Sequence, residues 1–422
     1  MEGVPHSYLL GHLAVTGKLL GQYPGDVFPS GICTLALRQF PHLEKNGFIL
    51  FDAWPFIDPM IYMFDPDISA QFTQLHSLPK SKDLKSEFRP LTSSKDLVTL
   101  DGPKWKFWRK SGEVLKIERP ATSLTIDVIA RSVLYGFALF TLLGMAIWWL
   151  TPDCTPPSLL KILNPIRPIL QWYYNCVIHN ALAPFIRQNL STQADGSTAN
   201  NEIKTVLSLA ARAYLAEKPQ TSSTQSNHEF ASLAIPHLVM FLFAGHDTTA
   251  ITLCFAYHLL HKHPSALARL CDEHDAVLGP DPSLTEPQLT RNPQLLNALP
   301  YTAAVIKKTL RLFAPAATNS HATHHLASLF PRPWEFLPER FLAAEGEELY
   351  VRKNAFRPFE LGPRACIGQE LAMLELKMIL VVTVRVFDIE SYPNGAPPGG
   401  PGRLGTYPVG HITGHPKDGI AG

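Results

Sequence analysis

The sequence predicts a mainly helical fold with a small β-rich part, on three observations. Helical periodicity runs through residues 231–261 and returns at shorter length in 266–278 and 301–312. Leu371, Leu374, Met378 and Ile379 recur at helical spacing directly after a glycine-punctuated loop that carries a cysteine. Short apolar runs that fit strands are confined to the first 64 residues, where Pro and Gly interrupt them.

The chain has 422 residues, 46% of them hydrophobic, which is ample material for a core. The net charge is +1 and no long basic run occurs, which argues against nucleic acid as a partner. The 37 prolines predict many turns between helices. Cys33, Cys154, Cys176, Cys254, Cys271 and Cys366 are scattered without a C-x-x-C pair, so neither a zinc site nor a dithiol redox motif is readable. Reduced thiols facing a cytosol are the expectation. The opening Met1-Glu2-Gly3-Val4-Pro5-His6 reads as neither a signal peptide nor a signal anchor.

Residues 32–37, 48–51 and 61–63 read as strands, and 71–78 as a short helix after the turn at Asp65-Pro66-Asp67. In the run DGPKWKFWRK, Trp105 and Arg109 are four apart and share a face if helical. A basic, aromatic surface helix with its own cation–π contacts is the plain alternative. Residues 133–150 are apolar and carry no charge, at the lower edge of a membrane span. A buried or membrane-facing helix is expected there. Residues 163–168 form a loop before an aromatic helix at 169–178, and 191–201 and 220–228 are polar connections.

The long helix at 231–261 reads Phe243-Ala244-Gly245-His246-Asp247-Thr248-Thr249-Ala250 at its centre. An acid followed by an alcohol is costly to bury unpaired. The pair either caps and packs internally or does chemistry, and Gly245 permits close approach. Residues 284–296 form a polar connection with a short helix. His321, His324 and His325 could ligate a metal, but no carboxylate lies between them, and a solvated loop is expected.

Chemistry concentrates in Phe359-Glu360-Leu361-Gly362-Pro363-Arg364-Ala365-Cys366-Ile367-Gly368. The helix beginning just past Cys366 would favour its thiolate, a soft metal ligand. Gly362 and Gly368 would let backbone pass close to a flat, bulky group. Arg364 offers a fork of donors to a carboxylate. A buried, inert cysteine before a core helix is the bland alternative.

This stretch resembles, position by position, the haem-binding loop of the cytochrome P-450 family, Phe-x-x-Gly-x-Arg-x-Cys-x-Gly; Phe359, Gly362, Arg364, Cys366 and Gly368 fill its fixed positions. Ala244-Gly245-His246-Asp247-Thr248-Thr249 is similar to the family's motif on the helix over the distal haem face, and Trp105 with Arg109 to its propionate-holding pair. The resemblance implies one haem domain over residues 1–422, with haem b bound through Cys366. Arg364, Trp105 and Arg109 would hold the propionates, in a pocket shaped by Phe359 and Gly362. Asp247 and Thr248 would handle protons at the dioxygen site. The implied function is monooxygenation of a hydrophobic small molecule with O2, most like fungal members of secondary metabolism. Electrons would come from NADPH through a separate cytochrome P-450 reductase. The implied location is the cytosolic face of the endoplasmic reticulum membrane. Residues 1–25 resemble the segment that family members carry just after their membrane anchor; no anchor is read in this sequence.

Two departures qualify the resemblance. Lys308 stands where the family's Glu-x-x-Arg has its glutamate, although Arg311 and the Arg340 of Pro-Glu-Arg-Phe complete the triad. Segments are short after Lys110, where the chain jumps to residues 124–129, and between Leu312 and Pro338. They support one rival, a catalytically impaired relic of the family; a second rival is a membrane protein built around the apolar residues 133–150.

Overall fold

Two short helices, α1 (Leu13–Leu20) and α2 (Ile32–Gln39), open the computed structural model. It describes residues 3–21, 31–52, 58–75, 78–113, 166–194, 211, 214–215, 223–316, 318–388, 408–410 and 414–416. The strand expected at 32–37 is therefore a helix. Ile32, Cys33, Thr34, Leu35, Ala36 and Leu37 are all buried. A run buried on every side carries no period that separates helix from strand.

Strands β1 (Phe48–Phe51) and β2 (Met60–Met63) lie where expected and pair antiparallel, Phe48 opposite Met63 and Leu50 opposite Ile61. Ile49 and Phe51 point into the core while Leu50 and Ile61 face solvent as a cross-strand pair. The Asp65-Pro66-Asp67 turn caps α3 (Pro66–Ala70): the Asp65 carboxylate accepts from the Asp67 and Ile68 N–H groups, both at 2.9 Å. The helix read over 71–78 continues α3 as a single π-helical turn, Gln71–Leu75.

The chain forms two compact units, residues 1–78 with 247–422, and residues 79–246. In the latter lie α4 (Lys82–Thr92), α5 (Gly102–Glu113) and α6 (Ile166–Ala194). Asp96 is fully buried and satisfied there, accepting from the Val98 and Thr99 N–H groups and from the Thr92 and Thr99 hydroxyls. Trp108 packs on the His237 ring at 4.0 Å.

Helix α7 (Ser223–Lys262) covers the expected 231–261 and extends back into the polar stretch at 220–228. By length and composition alone, Glu229–Lys262 is apolar enough to cross a membrane. Its Ile251, Phe255, Leu259 and Leu260 nevertheless pack into the core of the first unit. That core is shared with α8 (Pro264–Leu278), which precedes the short α9 (Thr285–Arg291), and with α10 (Pro300–Leu312). Phe255 stacks on Phe313 at 4.0 Å with planes 4° apart.

The histidines expected in a solvated loop sit instead on a buried helix, α11 (Thr318–His325). His324 is fully buried and His325 nearly so. One nitrogen of each ring is bonded: His324 Nε2 accepts the Arg357 N–H at 3.0 Å, and His325 Nδ1 donates to the His321 carbonyl at 2.8 Å while its ring stacks on Trp334 at 4.2 Å. Polarity predicted solvent, but a neutral imidazole with one bonded nitrogen and a stacked face costs far less to bury than a charged group. Helix α12 (Gln369–Thr383) comes directly after the cysteine loop, and β3 (Pro408–Gly410) pairs with β4 (Gly414–Pro416). The readings at 124–129, 133–150, 163–165 and 195–201 lie outside the described residues.

Candidate functional site

The cysteine loop closes on itself before α12 begins. The Cys366 N–H donates to the Phe359 carbonyl at 2.8 Å, and the Ala365 N–H to the Gly362 carbonyl at 3.0 Å. Gly362 has φ +83, and a Cβ there would collide with the backbone of Thr73 and Gln74. Its glycine is thus required by the chain's own backbone, not by the close approach of a ligand. Gly368 caps α12, two residues past Cys366.

This loop forms one wall of a cavity of about 280 Å³. Phe359, Glu360, Arg364 and Cys366 contribute from the loop, and Ala372 and Leu376 from α12. Thr248, Thr249 and Thr252 line it from α7, and Leu310 from α10. Cys366 is exposed, whereas Cys33 is buried and Cys176, Cys254 and Cys271 are half-buried. Burial pushes the Cys33, Cys254 and Cys271 thiols up, which keeps them protonated and inert.

Of the residues singled out in the sequence, Thr248, Phe359, Arg364 and Cys366 meet at this cavity. Asp247 is half-buried on α7 and is not among the lining residues. Adjacent helical residues point about 100° apart, so one threonine can face inward while its neighbour does not. Trp105 and Arg109 belong to the other unit, where both are buried on α5 one turn apart.

Lys308, Arg311 and Arg340 come together as a wholly buried group. Arg311 donates to the His324 and Pro333 carbonyls, and Arg340 to the Pro331 carbonyl. Burial, and then the two guanidiniums, press the Lys308 amine down to about 5. Glu335 and Glu339 do not fill the place of the missing glutamate. Glu339 pairs with Arg269 at 2.8 Å and Glu335 with Arg332 at 3.6 Å.

Two acids escaped the sequence reading. Glu360 lines the cavity in the left-handed region, φ +54, and its carboxylate pairs with buried Arg357 at 2.5 Å. Glu375 of α12 is pushed up to about 7 by burial, with the Thr249 hydroxyl opposing. An acid between Leu374 and Leu376, in the apolar run of that helix, was the available signal for Glu375. Nothing local marks Glu360.

The donor set fits a metal-bearing macrocycle. It offers one accessible thiol, one guanidinium for an anionic edge, an aromatic ring and aliphatic walls. Among the described residues no group of three or more His, Cys, Asp or Glu could hold a bare metal ion. A metal at Cys366 would therefore take its remaining ligands from a cofactor. The volume is near the lower end of the roughly 300–1,000 Å³ usual for such sites.

Comparison with known proteins gives matches over most of the chain. The family model described as Cytochrome P450 matches residues 145–324 and 316–405. The cytochrome P450 monooxygenase polC of Polytolypa hystricis is 31% identical over 91% of this chain and 81% of its own length. The monooxygenase acrF of Aspergillus aculeatus is 31% identical, covering 87% of this chain and 89% of its own. PC-20 of Penicillium crustosum is 28% identical over 99% and 89%. With its largely helical fold and these relatives, all of them monooxygenases, the chain is an oxidoreductase. This chain belongs to the cytochrome P450 family. The alignment with polC runs over 456 positions, more than the 422 residues here, so parts of that relative face gaps in this chain.

Proposed function

We propose that this protein is a monooxygenase that oxidises a hydrophobic small molecule with O2. The observation that carries the reading is the meeting of Cys366 and Thr248 at one cavity. Haem b, when bound, would supply the oxygen-activating chemistry, tuned by electron density from a thiolate. Cys366 would hold the haem iron through its thiolate. Arg364 would hold a propionate, in a pocket bounded by Phe359. The Thr248 hydroxyl would hold a proton at the cavity it shares with Cys366, and Asp247, one residue earlier, would resupply it. Leu310 and Leu376 would keep the site dry.

Electrons would come from NADPH through a separate reductase, and the setting would be the cytosolic face of the endoplasmic reticulum membrane. The fungal relatives support a role in secondary metabolism. Lys308 favours a second reading, a family member with weakened haem retention. The reduced, carbon monoxide-treated protein tests both. A thiolate-type absorption band requires Cys366 on iron, and its absence from folded protein would reject the first reading. A band of low occupancy restored by Lys308→Glu would support the second.

A further inference from the structure

Two guanidiniums and a lysine amine meet inside the first unit with no carboxylate hydrogen-bonded to any of them. Lys308 and Arg311 of α10 are 0% exposed, and Arg340 of the turn Pro338–Phe341 is 1% exposed. Both guanidiniums lie over the Phe330 ring, at 5.2 and 5.7 Å from its centre. Their hydrogen bonds go to main-chain carbonyls, which carry no charge. Lys308 Nζ, Arg311 Nε, and Arg340 Nε and Nη1 remain buried without a hydrogen-bond partner. Buried donors are ordinarily paired, and buried charges are ordinarily neutralised.

The other charged or titratable groups that Lys308 senses cannot do this. Glu335 and Glu339 are engaged with Arg332 and Arg269, and the Tyr301 hydroxyl adds a further bond to Glu339 at 3.4 Å. His263, at the start of α8, is held toward its neutral form by burial and by Lys308 itself. The carbonyl oxygens supply acceptors without net charge, and a trapped water would do the same.

We propose that Lys308, Arg311 and Arg340 bind a halide-sized inorganic anion, chloride in ordinary buffers, in the position a side-chain carboxylate would otherwise take. A monatomic anion accepts N–H bonds from any direction and needs no donor in return. Its single charge offsets that of the cluster. Full burial of all three side chains favours the smallest anion over an oxyanion. The binding site exists because residue 308 is a lysine: a glutamate there would bring its own carboxylate.

The experiment is thermal unfolding of the full chain as chloride replaces gluconate at constant ionic strength, for the native protein, Lys308→Glu and Lys308→Met. A ligand that binds only the folded state raises the midpoint progressively with its concentration. The expected result is a midpoint that climbs with chloride, and equally with bromide, in the native protein. The climb should vanish in Lys308→Glu and shrink at least severalfold in Lys308→Met. An equal climb in all three would be a general salt effect and would overturn the proposal, as would no climb in the native protein. Should Lys308→Glu not fold, bromide-soaked crystals of the native protein decide. An anomalous peak among the three side chains supports the site, and a water or nothing there rejects it. None of these readouts requires bound haem.

Discussion

The Cys366 N–H and the Phe359 carbonyl are joined at 2.8 Å, so the loop from Phe359 to Cys366 is closed by main chain. The side chain of Cys366 takes no part in that closure and is exposed at the cavity. Cys366→Ala is therefore a clean substitution, expected to change stability by no more than about 0.5 kcal/mol. It should abolish the thiolate-type carbon monoxide band. Cys254→Ala and Cys271→Ala, which alter half-buried thiols, should keep it. Spectra and unfolding curves taken on the same preparations check this; a band surviving in Cys366→Ala would end the axial-ligand assignment.

What could be read from the sequence was what is local. The loop around Cys366 was legible because glycine, arginine and cysteine stand at fixed spacing. The β1–β2 pair was legible because Ile49 and Phe51 alternate with Leu50. Residues 32–37 were misread because all six are buried and no face distinguishes helix from strand. The histidines of α11 were misread because their partners are distant in sequence: Thr34 meets His321 at 2.8 Å across 287 residues. The cavity's other walls, Thr252 and Glu360 among them, are brought together only by tertiary packing.

Thr248→Ala should fold normally, since alanine is the best helix former and the Thr248 carbonyl still receives the Thr252 hydroxyl at 2.8 Å. If Thr248 positions a proton, product formed per NADPH consumed should fall roughly tenfold or more, with the balance appearing as peroxide. Thr252→Ala is the control. Its hydroxyl is already committed to a carbonyl of its own helix, so coupling should change little. An unchanged ratio in Thr248→Ala would remove the relay role.

Glu360 sets backbone strain against an ion pair. A left-handed residue other than glycine costs on the order of 1 kcal/mol, which Glu360→Gly would relieve. The same change strands Arg357, which is 5% exposed and whose other side-chain partner is the Thr73 hydroxyl at 3.5 Å. Breaking a buried pair from one side costs about 3–5 kcal/mol, reduced here because the Glu360 carboxylate is partly exposed. The net expectation is a loss of about 1–3 kcal/mol in Glu360→Gly, measured by urea unfolding. A stabilised glycine variant would show that the pair contributes little.

Lys308 predicts an unusual dependence of stability on pH. Its amine is pressed to about 5 in the folded chain, while an unfolded lysine keeps its proton to about pH 10. Between those values the unfolded state binds one proton more than the folded state. Stability must therefore rise with pH across the window, by about 1.4 kcal/mol per unit, and fall away as pH drops toward 5. Other groups titrate in neighbouring ranges. Burial holds His237 at about 3 and His274 and His321 at about 4, so their contribution is lost as pH falls below that of free histidine, about 6.5. Glu375, raised to about 7, works in the opposite sense up to that pH, and the buried thiols act in the same sense as Glu375 above about pH 8. Comparison with Lys308→Met cancels all of these. In halide-free buffer between about pH 7 and 8, the native protein should gain about 1.4 kcal/mol per pH unit relative to Lys308→Met. The methionine variant should also be the more stable at the lower pH, because it removes a buried donor that has no hydrogen-bond partner. Parallel pH profiles for the two proteins would mean that Lys308 reaches solvent, and that the cluster with Arg311 and Arg340 is not closed.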